Sequence, residues 1–307
     1  MSLPDFEAWS IFACVVEHKS FTGAANALGL SKATISKAIT RLETQIGAPL
    51  FHRTSRRLSL TESGAKLVGH ARQILAQGQA AEEAARDEAS EPVGLVRLAA
   101  PMSFGLSHVG PVVAEFLCEY PGISIDMHLS DAKVDLIGEG FDIGLRIAAL
   151  PDSSLRARKL RDVSSYIIAA PSYLERMGTP RHPAELGEHE CLRYSLLTSP
   201  EHWRFTNGKG EEATVRPHGR LRANNGEVML HSLRSGHGIA VLPDFIIDGD
   251  LASGAVVPIL QDWSAPPAAL HLVTPPGTIR PKRVTALIDY LAERLGRPPA
   301  KTAFVPL

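Results

Sequence analysis

Residues 20–60 constrain this chain more than any other stretch: two short helices meet at a tight turn and a basic hairpin comes after them. Ser20 and Ser31 stand where N-caps belong, each before a run of helix-compatible residues. Gly29-Leu30 supplies the turn between the helices. In the second helix Ile35, Ala38, Ile39 and Leu42 recur at i, i+3, i+4 and i+7, one apolar stripe that packs inward. The opposite face carries Ala33, Ser36, Lys37, Thr40 and Arg41, with Lys32 and Thr34 in the first turn. Small residues let such a helix approach closely, and the polar ones donate to base edges and phosphates. The free N–H groups and positive dipole end of the helix favour a nearby phosphate.

Alone, that pattern also fits a solvated face on an ordinary helical hairpin. The next residues separate the two readings. Leu50-Phe51-His52-Arg53, a turn at 54–57 and Leu58-Ser59-Leu60 alternate as a strand pair, the pattern of a wing. Residues 31–57 hold Lys32, Lys37, Arg41, Arg53, Arg56 and Arg57 against the single acid Glu43, in a chain whose net charge is −1. Basic charge is gathered where a duplex would lie, the footprint of DNA binding; the competing use is a winged helix for protein contact. Lys32, Thr34, Ser36 and Lys37 are the expected base readers, and Arg41, Arg53, Arg56 and Arg57 the expected phosphate contacts.

In order along this segment stand Ser20-Phe-Thr-x-Ala-Ala, Leu28-Gly-Leu-Ser, Ile35-Ser-x-x-Ile39, Arg41-Leu-Glu43, Gly47-x-x-Leu-Phe-x-Arg53 and Leu60-Thr-Glu-Ser-Gly64. By this ordered set the chain resembles the LysR-type transcriptional regulators. The resemblance implies a bacterial, ligand-responsive regulator. It continues through Gly140-Phe-Asp-Ile-Gly-Leu-Arg-Ile147, Pro151-Asp-Ser-Ser-Leu155, Ala170-Pro-Ser-Tyr-Leu174 and Gly236-His-Gly-Ile-Ala-Val-Leu-Pro243. For that C-terminal part it implies a fold like periplasmic binding proteins, two α/β lobes with a ligand cleft between. Lys37 stands where many members carry Arg, and an ammonium lacks the planar fork that grips guanine.

At 307 residues the chain has room for two or three domains with ample core. Its 44% hydrophobic and 21% charged content are ordinary for a soluble globular protein. Asp5 and Glu7 precede the apolar patch from Trp9 to Val16 where a signal peptide wants positive charge, which argues against secretion. No apolar run approaches the ~20 residues needed to span a bilayer, so no membrane partner is expected and the cytoplasm is the expected location. Cys14, Cys118 and Cys191 are widely separated among apolar residues and read as buried thiols in a reducing compartment.

The fold class expected is α+β and multidomain. Residues 1–61 form the winged helix-turn-helix, 62–89 a linker helix and 90–94 a hinge, and 95–307 a two-lobed α/β effector domain. In the linker helix Leu67, Ala71, Ile74, Gly78, Ala81 and Ala85 step by 4-3-4-3-4, a heptad seam of mostly small residues. With little else to bury against, that seam points to a second copy, a homodimer or a tetramer built from dimers; the competing arrangement folds the helix back on its own domain. A symmetric dimer presents two recognition helices to an interrupted palindromic operator, and RNA polymerase is a further candidate partner. Beyond Glu91-Pro92-Val93-Gly94, strands over 95–100, 123–129 and 141–147 alternate with helices over 108–120 and 134–140, which argues for a parallel sheet. The resemblance sets lobe I at about 95–165 plus 268–296 and lobe II at about 166–267.

Ligands of open α/β sheets bind beyond the carboxyl ends of the strands. The first strand ends at Pro101-Met102-Ser103-Phe104-Gly105, where Ser103 and a helix start make a seat for a carboxylate, so a small organic anion is the effector class first suggested. Ser103 is otherwise a simple cap. Ser130 ends the second strand. Arg146 either clamps an anion or pairs with Asp142 or Asp152. Trp203, Asn224 and Asn225 are the lobe II candidates, the two Asn residues doubling as helix caps. The candidate effector set is therefore Met102, Ser103, Phe104, Ser130, Arg146, Trp203, Asn224 and Asn225.

Rival readings are a small-molecule-binding α/β protein, or an enzyme, whose basic N-terminal domain holds DNA without sequence preference. Residues 101–105 lack the leading Gly of a nucleophile elbow. Gly236-x-Gly238 lacks a third glycine and leads into a strand. His182, His189 and His202 show no metal-ligand spacing. No catalysis, cofactor or metal is expected.

Overall fold

The computed structural model describes residues 3–54, 57–85, 91–149, 155–197, 199–276 and 280–296. Three helices come first: α1 (Phe6–Glu17), α2 (Phe21–Leu28) and α3 (Lys32–Ile46). Their apolar faces close on one core in which Phe12, Val15, Ile35, Ile39 and Leu50 have no exposed surface. The hairpin β1 (Phe51–Thr54) and β2 (Arg57–Leu60) pairs antiparallel, with Phe51 opposite Leu60. Phe51 anchors it edge-on to Phe12 and Phe21, with centroids 5.4 and 5.6 Å away. The long helix α4 (Glu62–Ala85) starts at Thr61, whose Oγ1 accepts the Gly64 N–H at 3.0 Å.

The start of the expected dimer seam is spent inside the chain. Ala71 is fully buried in the N-terminal core, and Leu67 packs on its edge. The small side chains that would let a partner helix approach let α1 approach instead, so Ala71 is corrected from an interface residue to a core residue. Ile74 is half-buried and Ala81 exposed, while the side chain of Ala85 lies outside the described residues.

In the C-terminal part, β3 (Gly94–Ala100) leads through α5 (Met102–Phe104) and a π turn at 105–109 into α6 (Gly110–Glu119). Then come β4 (Ile123–Leu129), β5 (Ile143–Ala148) and β6 (Arg156–Val163). The chain crosses at Ser164 into a second unit: β7 (Ser165–Ala169), α7 (Pro171–Met177), a 3-10 turn at Pro183–Glu188, β8 (Arg193–Tyr194), β9 (Trp203–Asn207), β10 (Glu212–Val215), β11 (Arg222–Ala223), α8 (Gly226–Arg234), β12 (Ile239–Pro243), α9 (Asp244–Ser253), β13 (Val257–Pro258) and β14 (Trp263–Ser264). It returns with β15 (Ala268–Thr274) and closes with α10 (Lys282–Leu295).

The first lobe's sheet runs β4-β3-β5-β15-β6. β3 lies parallel to β4 and β5, but β15 is antiparallel to β5 and β6, so the sheet is mixed rather than parallel throughout. The returning strand has to enter from the second lobe, which reverses its direction. Val284, Leu287, Leu291 and Leu295 lay the stripe of α10 on this sheet. The second lobe has two antiparallel three-stranded sheets, β12-β7-β13 and β10-β9-β14, and the parallel pair β11-β8.

The helix expected over 134–140 is instead a turn. Oδ1 of Asp135 accepts the N–H groups of Ile137 and Gly138 at 3.2 and 3.1 Å, a local alternative to helical bonding. Of the three cysteines, Cys14 and Cys191 are buried as expected, but Cys118 is exposed on α6, on the face away from Val113 and Phe116. Burial pushes the Cys191 thiol up to about 12. His189, a decoy in the sequence, is buried with Nδ1 3.1 Å from the Tyr173 hydroxyl.

Candidate nucleic-acid interface and interlobe cleft

Helix α3 is set by its ends. Ser31 Oγ accepts the Thr34 N–H at 3.1 Å, and Gly47 closes the other end with φ of 75°, where a side chain would be strained. Gly29, at φ 64°, makes the turn before it. With Ile35, Ala38, Ile39 and Leu42 buried, Lys32, Thr34, Lys37, Thr40 and Arg41 are left exposed and Ser36 half-exposed. Ser36, Lys37, Thr40, Arg41, Thr44 and Gln45 line one shallow, open concavity along the helix. All four expected base readers therefore share the solvent side of one helix. The Thr34 hydroxyl lies 2.8 Å from Ser31 Oγ, so it serves the cap as well as the surface.

Arg41 is not free to meet a phosphate. Its Nε bonds the Asp5 carboxylate, and its Nη2 lies 3.2 Å from Glu7 Oε2. Asp5 is also the N-cap of α1, accepting the Ala8 N–H at 3.1 Å. The hydrogen bond from Arg41, then that from Ala8, holds the Asp5 carboxyl below the ordinary aspartate value. This link spans 36 residues and left no local signal in the sequence. Glu43, the one acid in the basic segment, is structural. Its Oε1 accepts the Leu50 N–H at 2.8 Å and fixes the wing to α3. Arg53 and Arg57 lie on β1 and β2, but their side chains lie outside the described residues, as does Arg56 altogether.

The linker helix docks on the first lobe. Arg72 Nη1 donates to the Glu139 carbonyl at 3.0 Å and packs against Gly140. Further along, Arg283 Nη2 donates to Gln79 Oε1 at 2.9 Å, and its Nε to the Leu95 carbonyl at 3.0 Å. The turn at 137–140 and the start of α10 thus hold the helix that carries the DNA-binding domain.

The expected cleft residues divide into three groups. Ser103 and Asn225 meet: Asn225 Nδ2 donates to Ser103 Oγ at 3.1 Å across the lobes. Met102 is exposed beside them, Ser130 Oγ accepts the Ala132 N–H at 3.2 Å in the following turn, and Asn224 is exposed next to Asn225. Arg146 Nη2 donates to the Val134 carbonyl at 2.6 Å. Asp142 instead accepts the Arg97 N–H at 2.8 Å, and Asp152 lies outside the described residues.

Two expectations fail. Trp203 is 5% exposed and packs edge-on to Phe205 in the second lobe's core, because alternation on β9 turns both inward. Phe104 has no exposed surface; it stacks on His108 at 4.7 Å, meets Phe245 of α9 edge-on at 5.2 Å and lies under Arg161. It is an interlobe packing residue, not a ligand contact.

The sequence pattern did not single out Asp131 or Tyr194. Asp131 Oδ1 accepts the Met102 N–H at 2.8 Å and its Oδ2 faces Asn225 Nδ2 at 3.0 Å. Its position just after Ser130, at the carboxyl end of a strand, was the signal available. Tyr194 is pushed well above the ordinary phenol value, first by burial and then by the Asp131 charge.

Residues 6–65 match the family model described as a bacterial regulatory helix-turn-helix protein of the lysR family, and residues 89–296 match the LysR substrate binding domain. The transcriptional regulator PtxR of Pseudomonas aeruginosa is 37% identical over 292 residues, 95% of this chain and 93% of that protein. The regulator CrgA of Neisseria meningitidis serogroup C is 35% identical over 294 residues, 94% and 97% of the two chains. Among solved structures, CrgA from Neisseria meningitidis matches with a TM-score of 0.60 at 33% identity, covering 97% of this chain and 100% of that one. The full-length Vibrio cholerae virulence activator AphB matches with a TM-score of 0.61 at 29% identity, covering 94% and 99%. No helix among the described residues is long and apolar enough to cross a membrane. Regulators of this kind bind DNA and small-molecule effectors and form oligomers. The chain belongs to the LysR-type transcriptional regulators, with a DNA-binding helix-turn-helix at its N-terminus and an effector-binding domain behind it.

Proposed function

We propose that α3 reads an interrupted palindromic operator through Lys32, Thr34, Ser36 and Lys37, and that Arg53, Arg56 and Arg57 of the wing hold the flanking phosphates. The observation that carries this is the sidedness of α3: its apolar stripe is buried, while Lys32, Thr34, Lys37, Thr40 and Arg41 are exposed and Ser36 half-exposed. Arg41 contributes once a phosphate competes with Asp5 and Glu7 for its guanidinium. A small molecule bound between the lobes sets the spacing of two such domains in a homodimer or tetramer. It must bind one quaternary state better than the other to shift their balance. The reading carries a cytoplasmic location, where the DNA is, and RNA polymerase as the partner met at the promoter. Action is by binding, not catalysis. Domain limits at 61, 89 and 94 go with it, supported by the cap at Thr61 and the start of β3 at Gly94.

The test is enrichment of sheared genomic DNA by the purified protein at moderate salt, followed by footprinting. A protected, interrupted palindrome is expected, lost in the Ser36→Ala/Lys37→Ala double variant with oligomerisation intact. Flat enrichment across sequences, or unchanged preference in the double variant, would refute the assignment.

A further inference from the structure

The end of β3 offers a seat for a carboxylate, and a carboxylate already occupies it: the chain's own Asp131. Oδ1 takes the Met102 N–H at 2.8 Å, while Oδ2 takes Nδ2 of Asn225 from the opposite lobe at 3.0 Å. The same Nδ2 reaches Ser103 Oγ at 3.1 Å, and Ser103 is only 4% exposed. Asn225 is itself held, because its Oδ1 caps α8 by accepting the Glu227 N–H at 3.0 Å. Asp131 has no Lys or Arg partner among the described residues.

We propose that Asp131 is an intramolecular ligand that fills the carboxylate seat and ties the two lobes together through Asn225. The inference rests on the two-lobed effector reading and narrows its chemistry. A free carboxylate effector would have to displace a tethered one, whose effective concentration is on the order of millimolar or more, and would arrive against its charge. The class that fits the cleft is an amine-bearing molecule, which sets a donor and a positive charge against Asp131. A simple organic anion does not fit.

Chemical rescue of the full-length Asp131→Ala protein tests this. The variant leaves a space matching a small carboxylate, and the probe is sodium acetate with sodium chloride as the ionic control. Hydrogen exchange at the Met102 amide is expected to rise at least tenfold in the variant and to fall back with millimolar acetate, not with chloride; wild type should ignore acetate. Wild-type exchange in the variant, or exchange indifferent to acetate, would overturn the proposal. Should Asp131→Ala fail to fold, Asn225→Ser keeps a helix cap but cannot reach Asp131. That variant should open the lobes in small-angle scattering while Met102 stays protected, and unchanged scattering overturns the proposal. Operator footprints separate the two layers: acetate rescue without any change in footprint leaves the self-ligand standing and removes effector control through this cleft.

Discussion

Gly69 of α4 lies so close to the turn after β4 that a Cβ there would stand 2.2 Å from the Ile137 carbonyl oxygen and 2.3 Å from that of Gly138. The loop at 130–140 carries Asp131 in the cleft at one end and this docking surface at the other, with Arg146 pinning its middle at Val134. It links the cleft residue Asp131 to the surface on which the helix carrying the DNA-binding domain rests.

Gly69→Ala should therefore force α4 off the first lobe. The atoms in the way are backbone, so overpacking of about 1–3 kcal/mol is expected, with a larger scattering radius. Gly78→Ala is the control: nothing lies within 4 Å of its Cβ position, and removing a mid-helix glycine should stabilise by about 0.5–1 kcal/mol. Denaturant titration with scattering checks both; equal effects at the two positions would refute the docking.

Asp5 couples a helix cap to the DNA surface. Asp5→Ala should cost about 1 kcal/mol through the lost cap. It should also free Arg41, giving tighter binding to non-specific duplex and a steeper salt dependence. The folded-state pKa of Asp5 is depressed, so its contribution is present above the unfolded carboxylate value of about 3.9 and is lost as pH falls through the lower folded value. Fluorescence anisotropy across a salt series reads the first effect, acid denaturation the second; a salt slope equal to wild type would show that Arg41 is already free.

The N-terminal fold was legible because its signals are local: Ser20, Gly29, Ser31 and Gly47 punctuate the chain, and the apolar stripe of α3 has helical period. How the short strands of the second lobe pair was not. β8 and β11 hold two residues each, and their parallel pairing sets Arg193 against Arg222, far apart in the chain. Trp203 was expected at the cleft, although Trp203-Arg204-Phe205-Thr206 alternates apolar and polar and so sets both rings on one face. Asp131 escaped because its partners, Met102 and Asn225, lie 29 and 94 residues away. Contacts at that separation follow from topology, which local pattern does not supply.

Trp203→Ala should be a stability variant rather than an effector-binding one. The ring is 5% exposed among Leu186, Phe205 and Val215, and large-to-small changes at such sites cost about 3–5 kcal/mol. Thermal melting should drop sharply, while the operator sequence selected by the surviving folded protein stays the same. A near-neutral effect on melting would return Trp203 to the cleft.

His108 should make stability depend on pH. It stacks on Phe104, lies edge-on to Phe245 at 6.0 Å, and sits with Nδ1 2.7 Å from Ser107 Oγ. Burial first, then the neighbouring Arg161, lowers its pKa, while Asp244 pulls the other way. Between the folded value and the unfolded value of about 6.5, the unfolded chain binds more protons. Stability from the neutral ring is therefore complete above that pH and is lost as pH falls through the folded value. His108→Phe keeps an aromatic on Phe104 and removes the titration. Melting temperatures from about pH 8 to about pH 5 should fall less in the variant than in wild type, the difference opening below about pH 6.5; superimposable profiles would mean that His108 binds its proton equally well in the folded and unfolded chain, and that the interlobe stack does not oppose its charging.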